Sequence, residues 1–67
     1  MGEKYNVGDR VHITKWYSIL HNIPIFVEYK ILDILKLNVR CPILLGSDEL
    51  GEDWCEFVSK NAIIKIE

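Results

Sequence analysis

The stretch Trp54-Cys55-Glu56-Phe57-Val58-Ser59-Lys60-Asn61-Ala62-Ile63-Ile64-Lys65-Ile66-Glu67 closes the chain and decides how the rest must fold. Its first five residues are mostly aromatic or β-branched, which favours a half-buried strand. The next three residues have side chains that hydrogen-bond locally to backbone, so we predict a single 3₁₀ turn near Lys60. The apolar pattern then resumes to Ile66, which predicts a terminal strand that needs a sheet to close against.

The stretch from Tyr29 to Leu45 alternates between apolar and polar side chains. Every odd position is apolar except Asp33, and the even positions include Lys30, Lys36, Asn38 and Arg40. This period of two predicts two strands that turn near residues 36–38. A helix over Val27–Leu37 is the alternative, because several apolar residues there also share one helical face. The β-branched content and the lack of a capping residue favour the strands.

Two short motifs resemble known folds. Val7-Gly8-Asp9-Arg10-Val11 is similar to the first strand of many small SH3-like barrels, including KOW-type and tudor-like ones. Phe57 to Ile63 resembles the end of an SH3-like barrel, where a strand meets a 3₁₀ turn and a last strand. Peptide-binding SH3 domains have a proline and a tyrosine where this chain has Ser59 and Ala62. The resemblance therefore implies the barrel, and it does not imply polyproline binding.

These patterns together predict one all-β domain over residues 1–67, a five-stranded SH3-like barrel with one short 3₁₀ turn. The strands are predicted at Arg10–Thr14, Tyr29–Leu35, Val39–Leu45, Trp54–Val58 and Ile63–Ile66. Residues 15–28 are predicted to form a long, irregular first loop, because Pro24 stops any helix at or before the residue that precedes it. Residues 46–53 are predicted to form a polar loop.

Composition excludes several classes of protein. Apolar residues make up 49% of the chain, which suits a packed globule and not a disordered tail. The apolar runs are short and broken by charge, so we predict no membrane span, no secretory signal and a cytoplasmic location. The net charge is −2, and residues 48–67 carry two Lys/Arg against six Asp/Glu. No basic run exists, which argues against nucleic acid as the main partner.

The aromatic residues of the first loop have two interpretations. Trp16, Tyr17 and Phe26 can cap the open end of the barrel, or they can form a patch that binds a partner, since aromatic residues anchor interfaces. We take these three, together with Trp54 of the fourth predicted strand, as the candidate partner-binding residues.

Other kinds of site lack the residues that they need. Cys41 and Cys55 are expected to be reduced thiols, with a disulfide between them as the alternative, and with His12 and His21 they do not have the spacing of a zinc site. The acidic run 48–53 lacks the alternating ligands of a calcium loop, so we expect a solvated loop. No serine or histidine lies in a recognisable nucleophile or acid–base pattern. We therefore predict no catalytic residue, metal or cofactor.

The first functional hypothesis is a small, non-catalytic protein-interaction module, and the brevity and composition suggest a bacterial or phage accessory protein. The alternative is a weak nucleic-acid-binding, KOW-like module that uses the dispersed cations Arg10, Lys15, Lys30 and Arg40. The third hypothesis is a structural role as a homodimer joined along a strand edge. We therefore expect a monomer or a weak homodimer.

Overall fold

Five antiparallel strands form one sheet in the computed structural model, which describes residues 5–66. The chain also contains one α-helix and one 3₁₀ turn. In chain order the elements are β1 Arg10–Ile13, α1 Lys15–His21, β2 Tyr29–Ile34, β3 Ile43–Ser47, β4 Gly51–Val58, the 3₁₀ turn Lys60–Ala62 and β5 Ile63–Lys65.

The strand order across the sheet is β4-β3-β2-β1-β5, with every neighbouring pair antiparallel. Successive strands along β1 to β4 are neighbours, and the last strand returns to pair with the first. Two irregularities interrupt this ladder. Leu32 is the extra residue of a bulge in β2, and residues 52–54 of β4 have no partner in β3.

The hydrophobic core lies on one face of the sheet. Alternation explains which residues reach it, because side chains i and i+2 of a strand share a face. In β1, for example, Val11 and Ile13 are buried while Arg10 and His12 are exposed. The buried apolar residues are Val11, Ile13, Tyr17, Ile23, Tyr29, Ile31, Ile43, Leu45, Val58, Ala62 and Ile63.

The turn at residues 6–9 precedes β1, hydrogen-bonds to β2 through the Gly8 amide and forms an ion pair with β5. The Asp9 amide donates to the Asn6 carbonyl, and the Asn6 amide donates to Asp9 Oδ2 at 2.8 Å. Gly8 supplies the left-handed backbone, with φ at 96°. The Asn6 amide and then the Lys65 ammonium, 3.3 Å away, hold the pKa of Asp9 below its ordinary value.

The prediction of an irregular loop over residues 15–28 was wrong in its first half, which is helix α1. The helix does end before Ile23, as the proline at position 24 requires. Asn22 adopts the left-handed conformation, with φ at 54°, and its amide donates to the Ser18 carbonyl. The Ile23 amide donates to the same carbonyl, so the helix closes with satisfied backbone groups.

The strand interpretation of the central stretch is confirmed, and the helix over Val27–Leu37 is wrong, because β2 occupies Tyr29–Ile34. The third strand begins at Ile43 and not at Val39, since residues 35–42 form a loop closed by a bond from the Leu35 amide to the Pro42 carbonyl. The fourth strand begins earlier than predicted, at Gly51.

The predicted all-β class is confirmed as a mostly β fold with one added helix. A closed barrel is not observed. Strands β4 and β5 lie at opposite ends of the sheet, and no pairing joins them within residues 5–66. The 3₁₀ turn stands at Lys60–Ala62, where the sequence predicts it. The Ser59 hydroxyl accepts from the Asn61 amide and caps this turn.

Candidate functional site

The outer side of α1 is apolar and exposed to solvent. Trp16, Ile19 and Leu20 are 53%, 73% and 68% exposed. Their positions differ by three and four residues, so they lie on one face of the helix. We call these three residues the α1 face. A short amphipathic helix on a soluble domain normally directs such a set toward the core. Here the apolar set faces outward.

Tyr17 fixes the helix to the domain from the opposite side. Its side chain is 5% exposed, and its hydroxyl lies 3.8 Å from Cys41 Sγ in the loop before β3. The Tyr17 ring contacts the Trp16 ring edge-on, with centroids 5.4 Å apart, and the His21 ring at 4.2 Å. Burial and then the neighbouring Cys41 raise the pKa of Tyr17 above its ordinary value. Tyr17 is thus a core residue, and a partner can reach little of it.

Phe26 is the most exposed large apolar residue among those described, at 94%. It lies in the connection between α1 and β2, four residues after the left-handed Asn22. Its neighbours along the chain are anchored. Ile23 is buried, and the Tyr29 hydroxyl donates to the Pro24 carbonyl. The backbone on both sides of Phe26 is therefore held while the ring projects into solvent.

Trp54 lies in a different part of the molecule. It belongs to the unpaired segment of β4, is half-buried, and packs its ring against Tyr29 with centroids 5.2 Å apart. Burial and then the charge of Glu49 raise the pKa of Tyr29. In the described residues, the ring contacts join Trp54 to Tyr29 and Trp16 to Tyr17, so no ring contact links Trp54 to α1.

The four predicted partner-binding residues therefore have different environments. Trp16 and Phe26 are exposed, Trp54 is half-buried, and Tyr17 is buried. Sequence reasoning missed Ile19 and Leu20, which complete the α1 face. The signal that could have found them is the spacing of three and four residues from Trp16, which becomes meaningful once the segment is recognised as helix.

The chain segment that contains α1 carries charges of one sign. Residues 10–27 contain no Asp or Glu, while α1 begins with Lys15. Arg10 is already paired with Glu28 at 3.1 Å. The cations of the nucleic-acid hypothesis are spread over the fold: Lys30 lines a cleft together with Glu28, Asp48 and Glu49, whereas Arg40 lies beside Lys60 in another groove.

The structure also places the two cysteines and the potential metal ligands. Cys41 and Cys55 are both free thiols, one half-buried beside Tyr17 and one exposed on β4. Across residues 5–66, no three His, Cys, Asp or Glu side chains are grouped closely enough to hold a metal ion. The same part of the chain contains no helix that is long and apolar enough to cross a membrane.

No protein-family model, curated protein or solved structure matches this chain. Its function is therefore inferred from the chemistry of its surface.

Proposed function

We propose that this protein is a small, non-catalytic interaction module, an SH3-like domain that binds a partner protein through the α1 face and Phe26. The strand order and the 3₁₀ turn before the last strand support the SH3-like comparison. The observation that carries the functional proposal is the apolar α1 face, with three large side chains 53–73% exposed on a helix anchored from behind.

Energetics explain why such a face serves binding better than folding. Fully burying one Leu, Ile or Phe side chain contributes about 1.5–3 kcal/mol. More than half of each α1-face side chain remains in water, so most of that free energy is still available for binding. Because Tyr17 and Ile23 are buried behind it, the helix is already ordered before a partner arrives. A preordered apolar surface costs less conformational entropy on binding than a disordered one.

The experiment compares capture by the parent protein and by a triple variant, Trp16→Ser, Ile19→Ser and Leu20→Ser. Immobilised protein is exposed to an extract of the source cells, and the retained proteins are identified by mass spectrometry. We expect the parent to retain a specific protein that the triple variant loses. Each substituted side chain is more than half exposed, so the variant should keep its fold, as circular dichroism can verify.

A matched control removes exposed apolar residues from other parts of the surface. Val7 and Ile64 are 61% and 56% exposed, and neither belongs to α1. The double variant Val7→Ser, Ile64→Ser should retain the partner as well as the parent does. Equal retention by the triple variant would contradict the proposal, and so would equal loss by the control. Substituting Tyr17 is unsuitable for this test because it removes a core residue.

A further inference from the structure

A second concave surface lies on the loop between β2 and β3, separate from the α1 face. This groove has a volume of about 320 Å³ and is bounded by that loop and by the 3₁₀ turn. Its apolar walls include Leu37, Val39 and Pro42. Leu37 is 67% exposed and Val39 is 46% exposed. The Val39 amide donates to the Leu37 carbonyl at 2.9 Å, so a tight turn holds both side chains at the surface.

The charges of the groove are all positive. Arg40 enters from the loop and Lys60 from the 3₁₀ turn, and no Asp or Glu lines the groove. Two other clefts do contain carboxylates, among them Glu28 in one and Glu52 in the other. The ion pairs found in residues 5–66 involve Arg10 and Lys65, so neither groove cation is neutralised by a neighbour in that part of the chain.

The groove and the acidic end of the molecule are held apart by one strand. The groove includes Pro42, immediately before β3, while Asp48 and Glu49 follow the other end of that strand. Asp33 of β2 and Glu56 of β4 lie nearer along the chain, but neither of them lines the groove. Within residues 5–66 neither Arg40 nor Lys60 has a carboxylate partner, so both are available to a carboxylate of another molecule.

We propose that this groove binds an acidic peptide segment of a partner protein. An apolar side chain of the peptide would contact Leu37 and Val39, and its flanking Asp or Glu side chains would pair with Arg40 and Lys60. Charge complementarity carries the assignment, since an apolar surface bounded by two unpaired cations favours an apolar residue with acidic neighbours. The inference goes beyond the binding proposed for the α1 face and uses none of its residues.

The test is a titration of isotope-labelled protein with a five-residue peptide that has leucine at its centre and two glutamates on each side, followed by NMR. We expect the backbone amides of residues 35–41 and 59–61 to shift, and the binding to weaken as salt is added. Replacing either cation, as Arg40→Gln or Lys60→Gln, should weaken binding about two- to fivefold. Leu37→Ser should weaken it also, because the apolar contact is lost.

Control variants distinguish peptide binding in this groove from a general effect of charge. Lys30→Gln removes the same charge from a residue that lines other clefts, so its affinity should equal that of the parent. The triple variant of the α1 face should also bind the peptide like the parent, so the two proposals fail independently. Three results would each overturn the inference. The first is the absence of shifts at millimolar peptide, and the second is shifts confined to other residues. The third is equal binding of a peptide that has lysines in place of the glutamates. Tighter binding of a thymidine oligonucleotide in this groove would overturn it too, because the partner would then be nucleic acid.

Discussion

Two adjacent aromatic residues, Trp16 and Tyr17, have opposite roles in this protein. The Trp16 side chain is 53% exposed, while the Tyr17 side chain is 5% exposed and contacts the core. The residues differ by one position on a helix, which turns their side chains about 100° apart. A single aromatic pair in the sequence thus contributes one residue to a candidate binding surface and one to stability.

Alanine substitution should separate these two roles. Tyr17→Ala removes a buried aromatic side chain and should lower the free energy of unfolding by about 3–5 kcal/mol. Trp16→Ala removes a half-exposed one and should lower it by less than about 1 kcal/mol. Urea denaturation of both variants measures the difference. Equal destabilisation would show that Trp16 is as much a part of the core as Tyr17.

The buried hydroxyl of Tyr29 predicts a loss of stability in alkali. Burial and the Glu49 charge raise the pKa of Tyr29 above the ordinary value of 10.0 in the folded chain. Above pH 10 the unfolded chain therefore loses this proton more readily than the folded one, so stability falls as pH rises. In Tyr29→Phe the Pro24 carbonyl loses its donor, which should cost about 1 kcal/mol near neutral pH.

The measurement is the free energy of unfolding of the parent and of Tyr29→Phe, from about pH 8 to about pH 11. Because phenylalanine does not ionise, the variant should lose less stability over this range, and the two curves should converge in alkali. Parallel curves would mean that the Tyr29 hydroxyl ionises equally in the folded and unfolded chains.

At the scale of elements, α1 begins without the side-chain hydrogen bond that usually caps a helix. Thr14 occupies the N-cap position in extended conformation, yet its hydroxyl makes no cap bond. That oxygen is buried and has no hydrogen-bond partner. A threonine at an N-cap normally stabilises its helix by about 1 kcal/mol. Here the buried hydroxyl should instead destabilise the fold.

Thr14→Val tests this reversal because valine has nearly the same shape and no hydroxyl. We expect the variant to be as stable as the parent or more stable by about 1 kcal/mol, since an unpaired buried polar group is removed. Thermal unfolding at neutral pH measures the change. A loss of stability near 1 kcal/mol would show that the hydroxyl caps the helix in solution.

The sequence predicts some elements better than others, and local pattern explains why. β2 is found close to its predicted bounds, because apolar Tyr29 and Ile31 alternate with Lys30 before the bulge at Leu32. Helix α1 is only seven residues long, about two turns, and its outward face is apolar. Neither its length nor its pattern distinguishes it from a loop. The start of β3 depends on the bond from the Leu35 amide to the Pro42 carbonyl, which closes a loop that the apolar pattern of residues 35–42 does not reveal.

The candidate site, too, can be predicted only in part from the sequence. Aromatic content alone identifies Trp16 and Phe26, which are both exposed. The exposure of Ile19 and Leu20 depends on which side of α1 meets the sheet, and the packing of Tyr17 decides that. Such orientation is a tertiary property, so the sequence provides candidates and the fold selects among them.

At the scale of the whole molecule, the sheet is open and has an edge at each end. β5 is a short edge of three residues, whereas β4 is an edge of eight residues. Long edge strands can pair with strands of other molecules, and charged side chains are a common protection against this. β4 carries Glu52, Asp53 and Glu56, all exposed. We infer that these carboxylates limit association between copies along β4.

Neutralising this edge should therefore promote self-association. The double variant Glu52→Gln, Glu56→Gln keeps the size of both side chains and removes two negative charges from β4. We expect light scattering to show a larger average mass for this variant than for the parent at the same concentration, because pairing of two β4 edges then brings fewer like charges together. The control Glu28→Gln, Asp33→Asn removes the same charge from β2 and from the residue before it, outside β4. An equal rise in mass for both variants would assign the effect to net charge. No rise in either variant would mean that the shape of the β4 edge, with residues 52–54 out of register, already prevents pairing.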